Sequence, residues 1–575
     1  MRILAGVSLV LLLAAETSRA VGPANGTPSP FAMRGWQLHE YSMPRLEEAV
    51  RRAPDYGVNF LIFSHDLFRS VEGFLASDDT LDPFNPPVRI KELKTGSHFE
   101  LHPGWQSDIR RLGQLAAANH LSYYLWIHEF DDVPRRFLIQ NRVNLDDPGL
   151  LQYLDQRYER LLAAVPGCAG FVLTFHESDR KLFRDTEVSS AVGVPERMVR
   201  VTKVIHDVLA RHGRQLILRN FFYEPEEMRS FKEALAQLPD DIIVMSKDTT
   251  HEFHPFYPWD PMHGQTGKKR QIIETDLGVE KAWSEHGAYA QTDYVRRVVQ
   301  RARDKNLTGL VGRCRLLWAE PFADSHEVNL YSFSRFLREP DAAVETVLLD
   351  WARQRFPDTA APYVAAAFRR TEFIQHHGRW HLGNWFTKSI GDQWGNYPYY
   401  FGHLLQRSRF KWTGDPADQA LEASLYRPDR ATYDRIVAEK DEVLAQVNLA
   451  QGDLEKAFAY LSAEQRAPLE EDFRFLVDAA RLQREWVRAY FAQRMFMGEP
   501  RPEYRLMAED AMHRLEQYEA TPGFTYGLDQ ATKRRYKIDQ FVLEMRWRLA
   551  NRRRALAEDQ SILERVKKAG AAEEN

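Results

Sequence analysis

Eight short runs of apolar and β-branched residues follow one another along the first part of the chain, each trailed by polar residues and then by a stretch of helical periodicity. They are Arg34 to Leu38, Val58 to Phe63, Ser122 to Ile127, Gly170 to Phe175, Gln215 to Leu218, Ile242 to Met245, Gln271 to Ile273 and Gly309 to Gly312. Runs this short, with little polar alternation, predict parallel strands covered on both faces. Helical spacing of apolar residues fills the intervals at Leu46 to Arg52, Trp105 to Asn119, Leu150 to Val165, Pro195 to His212, Glu226 to Gln237 and Thr292 to Lys305. The order predicts an α/β fold, a (β/α)8 TIM barrel over residues 30–340.

One interval shows the logic. Asp146, Asp147 and Pro148 are helix-opening residues, and Leu150, Leu151, Leu154, Tyr158, Leu161 and Leu162 recur at the spacing of one buried stripe. Gly167 then ends the element. Beyond residue 340 the strand-like runs stop. Ala342 to Phe356 and Asp429 to Arg494 are helical in pattern, with punctuation at Pro340, Pro357, Gly452 and Gly498. This predicts a mainly α-helical C-terminal domain over 341–568 and a disordered tail over 569–575. Arg379 to Trp412 is dense in Trp, Tyr, Phe and Gly; it fits an aromatic cleft wall and equally a seam between the domains.

The first residues read differently. Met1 and Arg2, the apolar run Ile3 to Ala15 and the small residues near Ser18 and Ala20 predict a secretory signal peptide over 1–20, removed on export to the periplasm or the medium. No later run is long enough for a membrane span, so no membrane partner is expected after its removal. A formal charge of −4, from 77 basic and 81 acidic residues, argues against a general nucleic-acid binder. Only Cys168 and Cys314 occur, and the strand assignment sends them to opposite ends of the barrel, so they are expected to remain unpaired.

In barrel enzymes the reactive groups sit at the carboxyl ends of the strands. In strand order these ends carry His39 with Glu40, His65 with Asp66, His128 with Glu129, His176 with Glu177, Arg219 with Asn220, Lys247 with Glu252, Glu274 with Glu280, and Arg313 with Arg315. Such groups are costly to bury unpaired, so the ring marks a polar cleft, although a structural ion-pair network has the same composition. Glycosidic cleavage asks for one carboxylic acid at the leaving oxygen and a second carboxylate across the sugar. Glu177, Glu252 and Glu280 are the candidates, with Glu177 as the acid because the apolar residues of the run Phe171 to Phe175 would raise its pKa. Trp36, His39, Glu40, His128, Glu129, His176, Arg219, Lys247, Glu274, Arg313 and Trp318 are the candidate substrate-binding residues. The His and Glu doublets lie on different strands without helical metal-ligand spacing, so neither a metal nor a cofactor is expected. No Gly-x-Ser-x-Gly elbow and no phosphate-cradling glycine loop occurs.

Three stretches resemble the barrel of the α-glucuronidases of glycoside hydrolase family 67: Asp146 to Phe175 (DDPGLLQYLDQRYERLLAAVPGCAGFVLTF), Leu218 to Tyr223 (LRNFFY) and Ile242 to Glu280. Asn329 to Phe356 (NLYSFSRFLREPDAAVETVLLDWARQRF) is similar to the family's segment after strand eight. The resemblance implies a barrel with a helical C-terminal part and an inverting mechanism. It places the general acid at Glu177, with Asp179 one alternative, and the water-activating carboxylates at Glu252 and Glu280, with Glu274 the alternative to Glu280. Arg219 and Lys247 match basic positions near the family's uronate pocket. The chain departs from the family in having no N-terminal β/α domain before the first strand. It also has Thr174 where the family has Lys and Glu252 where it has Asp.

Together these readings predict a secreted α-glucuronidase-like hydrolase that removes (4-O-methyl)glucuronic acid from xylan-type oligosaccharides. A barrel glycosidase for another acidic or amino sugar and a non-catalytic carbohydrate-binding protein are the alternatives. The expected partner is an oligosaccharide bearing uronic acid, and the C-terminal domain is the expected surface of any homodimer.

Overall fold

The computed structural model describes residues 29–39, 43–64, 105–130, 133–176, 178, 180–220, 222–250, 252–277, 287–315, 322, 325–385, 408–519 and 538–574. Glu40, Glu177, Asp179, Glu280, Trp318, the signal segment and most of the aromatic stretch (386–407) lie outside these residues.

Eight parallel strands close into a barrel: β1 (Met33–His39), β2 (Phe60–Phe63), β3 (Ser122–His128), β4 (Gly170–Thr174), β5 (Gln215–Arg219), β6 (Ile243–Lys247), β7 (Gln271–Asp276) and β8 (Gly309–Arg315). β1 closes the ring by pairing with both β2 and β8. Every strand overlaps a run read from the sequence. Strands approach closely where they start: a Cβ on Gly309 would lie 1.8 Å from the Met33 carbonyl oxygen, which reserves that position for glycine.

Helices α1 (Met43–Arg52), α2 (Trp105–Ala118), α3 (Pro148–Ala164), α4 (Val194–Arg211), α5 (Pro225–Leu235), α6 (Thr292–Asp304) and α7 (Glu327–Arg338) belong to the barrel. α3 opens as its sequence foretells, with Asp147 accepting from the Gly149 N–H at 2.8 Å and Pro148 in the first turn. Among the described residues no helix joins β6 to β7, a departure from eight complete β/α units. The connecting loop 248–270 holds Pro255, Pro258, Pro261, Gly264 and Gly267, which interrupt any helix, and it folds through bridges from Thr249 to Glu252 and to Trp259.

The barrel interior is a layered core of Phe60, Ile62, Tyr124, Trp126, Val172, Ile217, Ile243, Met245, Ile272 and Val311. A larger cluster fills the space between barrel and helices and continues into the C-terminal region. That region is mainly helical over its described length: α8 (Val344–Arg355), α9 (Ala361–Arg379), α10 (Pro416–Tyr426), α11 (Arg430–Phe458), α12 (Ala463–Gly498), α13 (Pro502–Glu519), α14 (Ile538–Ala550) and α15 (Arg552–Glu574). α15 runs to Glu574, into the stretch from 569 expected to be disordered, whose Ala and Glu residues are good helix formers.

α9 docks on the first turn of α6 and the loop before it. Glu372 accepts from the Asp293 and Tyr294 N–H groups (2.9 and 3.1 Å), Thr371 from the Ala290 N–H (2.9 Å), and Tyr289 bonds His376 (2.7 Å). The described ends of the aromatic stretch show the seam: Trp380 and Trp385 are buried with Tyr257 of the β6–β7 loop. No described helix is long and apolar enough to cross a membrane.

Candidate active site

Side chains alternate along each strand, so the outward Trp36 and Leu38 of β1 fix Gln37 and His39 as inward-facing. At the carboxyl end of the barrel the same phase brings His128, Arg219, Lys247, Glu274 and Arg313 to the mouth. Trp126 is the floor. Its indole N–H donates to Thr174 Oγ1 (2.9 Å), His39 and His128 meet it edge-on at 5.3 and 4.9 Å, and the Arg219 guanidinium lies 4.5 Å over its ring. His39 Nε2 takes N–H donors from Gln37 (2.9 Å) and Arg313 (3.1 Å), which makes His39 a neutral imidazole protonated at Nδ1.

The charges above this floor are matched. Arg219 grips the fully buried Glu274 with two bonds, Nε to Oε2 at 2.6 Å and Nη2 to Oε1 at 3.2 Å. Burial alone would raise the Glu274 pKa, but Arg219, Lys247 and Arg313 outweigh it and hold the carboxyl below its ordinary value. Glu274 is therefore ionised and cannot act as a proton donor. Lys247 pairs with Glu252 at 3.0 Å, and both Lys247 and Arg313 face the Phe253 ring, at 4.6 and 5.5 Å. Glu252 has φ 135°, a conformation that costs a non-glycine residue energy and that its loop bridges enforce. His176 is wedged between Phe183 and Phe222; burial first, then Arg219, drives its pKa well below the usual value, so it is neutral.

Asp248, Asp260 and Asp276 at this end of the barrel had not been singled out. Asp276 shares the inner face of β7 with Glu274 and is in register with Arg313. Asn220 is fully buried and donates to Asp260 at 2.8 Å, while Thr275 donates to Asp248 at 2.8 Å; burial raises both aspartates to about 7. Asn220, Lys247, Thr249, Glu252, Asp260 and Trp412 help line a narrow pocket at the rim. The spacing of two between Glu274 and Asp276, and between Trp126 and His128, was the available signal.

Two candidates are corrected. Trp36 points outward, fully buried 5.2 Å from Tyr56 and 6.0 Å from Phe322, and is core. Glu129 also points outward and is fully buried, accepting from Arg157 (2.7 Å), the Tyr158 hydroxyl and the Phe130 N–H (3.2 Å). It ties β3 to α3 and faces away from the mouth. Cys168 and Cys314 are both buried and free. Among the described residues no three His, Cys, Asp or Glu converge on a common point where an ion could sit.

Fold and site together define a (β/α)8 barrel with a charged, tryptophan-floored mouth, extended by a helical domain. A family GH138 enzyme targeting pectin rhamnogalacturonan II has this architecture, with a TM-score of 0.61 and 11% identity over 92% of this chain and 84% of that one. Looser overlaps include a Thermobaculum terrenum O-GlcNAc hydrolase (TM-score 0.44, 10% identity, 90% of this chain and 94% of that one). Another is a GH115 4-O-methyl-α-glucuronidase with specificity for decorated arabinogalactans (TM-score 0.48, 12% identity, 90% and 62%). No protein family and no curated protein matches the sequence. Identity this low shows the shared fold, and the family 67 resemblance rests on the segments quoted above.

Proposed function

We propose that the protein is an exported glycoside hydrolase of acidic glycans, which removes a uronic acid residue in an α-glucuronidase-like reaction on a xylan-type oligosaccharide. The observation that carries the reading is the mouth itself: an ionised carboxylate, Glu274, locked by Arg219, with Lys247 and Arg313 flanking Phe253 beside it. Cations so placed suit a sugar carboxylate, and the tryptophan floor suits a ring face. The fold neighbour that targets a pectic polysaccharide is consistent with a glycan substrate.

In this reading Glu177 gives a proton to the glycosidic oxygen, and Glu252 or Glu280 takes one from the water that attacks the anomeric carbon. Glu274, unable to donate, stabilises the positive charge that develops on the ring. The test compares uronate-bearing oligosaccharides with the same glycans after reduction of their carboxyl groups to alcohols. Cleavage of the acidic form, at least about tenfold faster than of the reduced form, is the expected result. Equal cleavage of both would remove the uronate from the proposal, and cleavage of neither by folded protein would remove the hydrolase.

A further inference from the structure

The rim pocket joins the two parts of the chain. Its barrel side is Asn220 at the end of β5 and Thr249, Thr250 and Asp260 of the β6–β7 loop; its other side is Trp412, from the helical turn Phe410–Thr413. Asn220 lines the pocket and is fully buried, and its Oδ1 has no hydrogen bond among the described residues. Trp412 is half-buried, packed on the core by part of its surface.

The turn that carries Trp412 is fixed from several sides. Glu422 accepts from Ser408 Oγ (2.6 Å) and the Phe410 N–H (3.0 Å), Thr413 donates to Asp418 (2.8 Å), and Lys411 pairs with Glu224 at 2.5 Å. Glu224 is the N-cap of α5 and completes a capping box with Glu227, so the ion pair sets the turn against the loop that follows β5. The free volume of about 10 Å³ takes a hydroxyl group and no whole ring.

We propose that this pocket receives one hydroxyl group of a neutral sugar unit adjoining the uronate, with Trp412 at its edge as the platform for the ring and Asn220 Oδ1 as the acceptor for that hydroxyl. The proposal rests on the reading that the mouth handles glycans, and it gives the helical domain a part in choosing the substrate. A buried amide oxygen awaiting a donor rejects a ligand that lacks the hydroxyl, and an indole face beside it suits the C–H face of a sugar.

The test is calorimetric titration of the full chain with neutral tetrasaccharides of xylose, arabinose, galactose and glucose, none carrying a uronate. At least one is expected to bind. Trp412→Ala should weaken that binding about tenfold or more, while Trp412→Phe should stay within about threefold, because a smaller ring keeps a stacking face. Asn220→Asp, which replaces the amide by a carboxylate beside Asp260, should also weaken it. Thermal melts of each variant separate lost binding from lost folding, and the phenylalanine variant keeps the test alive if alanine unfolds the turn. No binding of any tetrasaccharide by the parent, or unchanged binding by folded Trp412→Ala, would overturn the subsite. Since no bond is broken, this outcome is independent of whether uronate is released.

Discussion

Arg219 and Glu274 carry the largest electrostatic stake at the mouth, because both are buried and each neutralises the other. Arg219→Met leaves the Glu274 charge with one cation fewer at its side and should cost about 3 to 5 kcal/mol of stability, read from denaturant unfolding. Arg219→Lys keeps the charge but loses the two-pronged grip, so a smaller loss is expected. Glu129 gives the opposite diagnosis: Glu129→Ala should cost about 3 to 5 kcal/mol, by taking the buried carboxylate away from Arg157 and Tyr158, while the folded variant binds ligand as the parent does. A fall in ligand affinity without a fall in stability would return Glu129 to the site. The sequence did not reveal this because both faces of a barrel strand are buried, so Trp36 and Gln37, or His128 and Glu129, look alike until the phase is known. Pairs two apart, such as Glu274 and Asp276, carry the phase.

At the scale of elements, strand runs and helix stripes were legible because burial imposes them locally, whereas the missing helix between β6 and β7 was not expected, although its prolines and glycines carry the reason. Docking of α9 on α6 was not legible, since Glu372 and the α6 amides it caps are far apart in sequence. Burial first, then Asp293, raises Glu372 to about 7. A carboxyl raised in the folded state holds its proton longer there than in the unfolded chain, so its contribution to stability falls as pH rises from about 4.5 to about 7. Glu372→Gln removes that loss. The melting temperature of the variant minus that of the parent should therefore climb across this window, by the equivalent of about 1 to 3 kcal/mol. A flat or falling difference would contradict the buried, protonatable cap. The difference is the useful quantity because His263, lowered to about 4 by burial, acts in the opposite sense between pH 4 and 6.5.

For the whole molecule, barrel and helical domain share one continuous core, and the turn after α9 is set by Lys440. This buried lysine donates to the His377 and Trp380 carbonyls and to Glu439. Lys440→Met should loosen the aromatic seam of Trp380 and Trp385, lowering the melting temperature and the near-ultraviolet circular dichroism together; loss of neither would show that the seam does not depend on it. The aromatic stretch could be read as wall or seam from sequence because both need the same residues; burial of Trp380 and Trp385 decides for the seam at its described start, while Trp412 at its end lines the rim. The most direct measurement is mass-spectrometric analysis of products from 4-O-methylglucuronoxylan oligosaccharides treated with the folded parent and with folded Glu274→Gln. Free uronic acid from the parent, and about a hundredfold less from the variant, is expected if Glu274 stabilises the transition state. Equal release by both would contradict the role of the barrel mouth, and no release by the parent would contradict the activity.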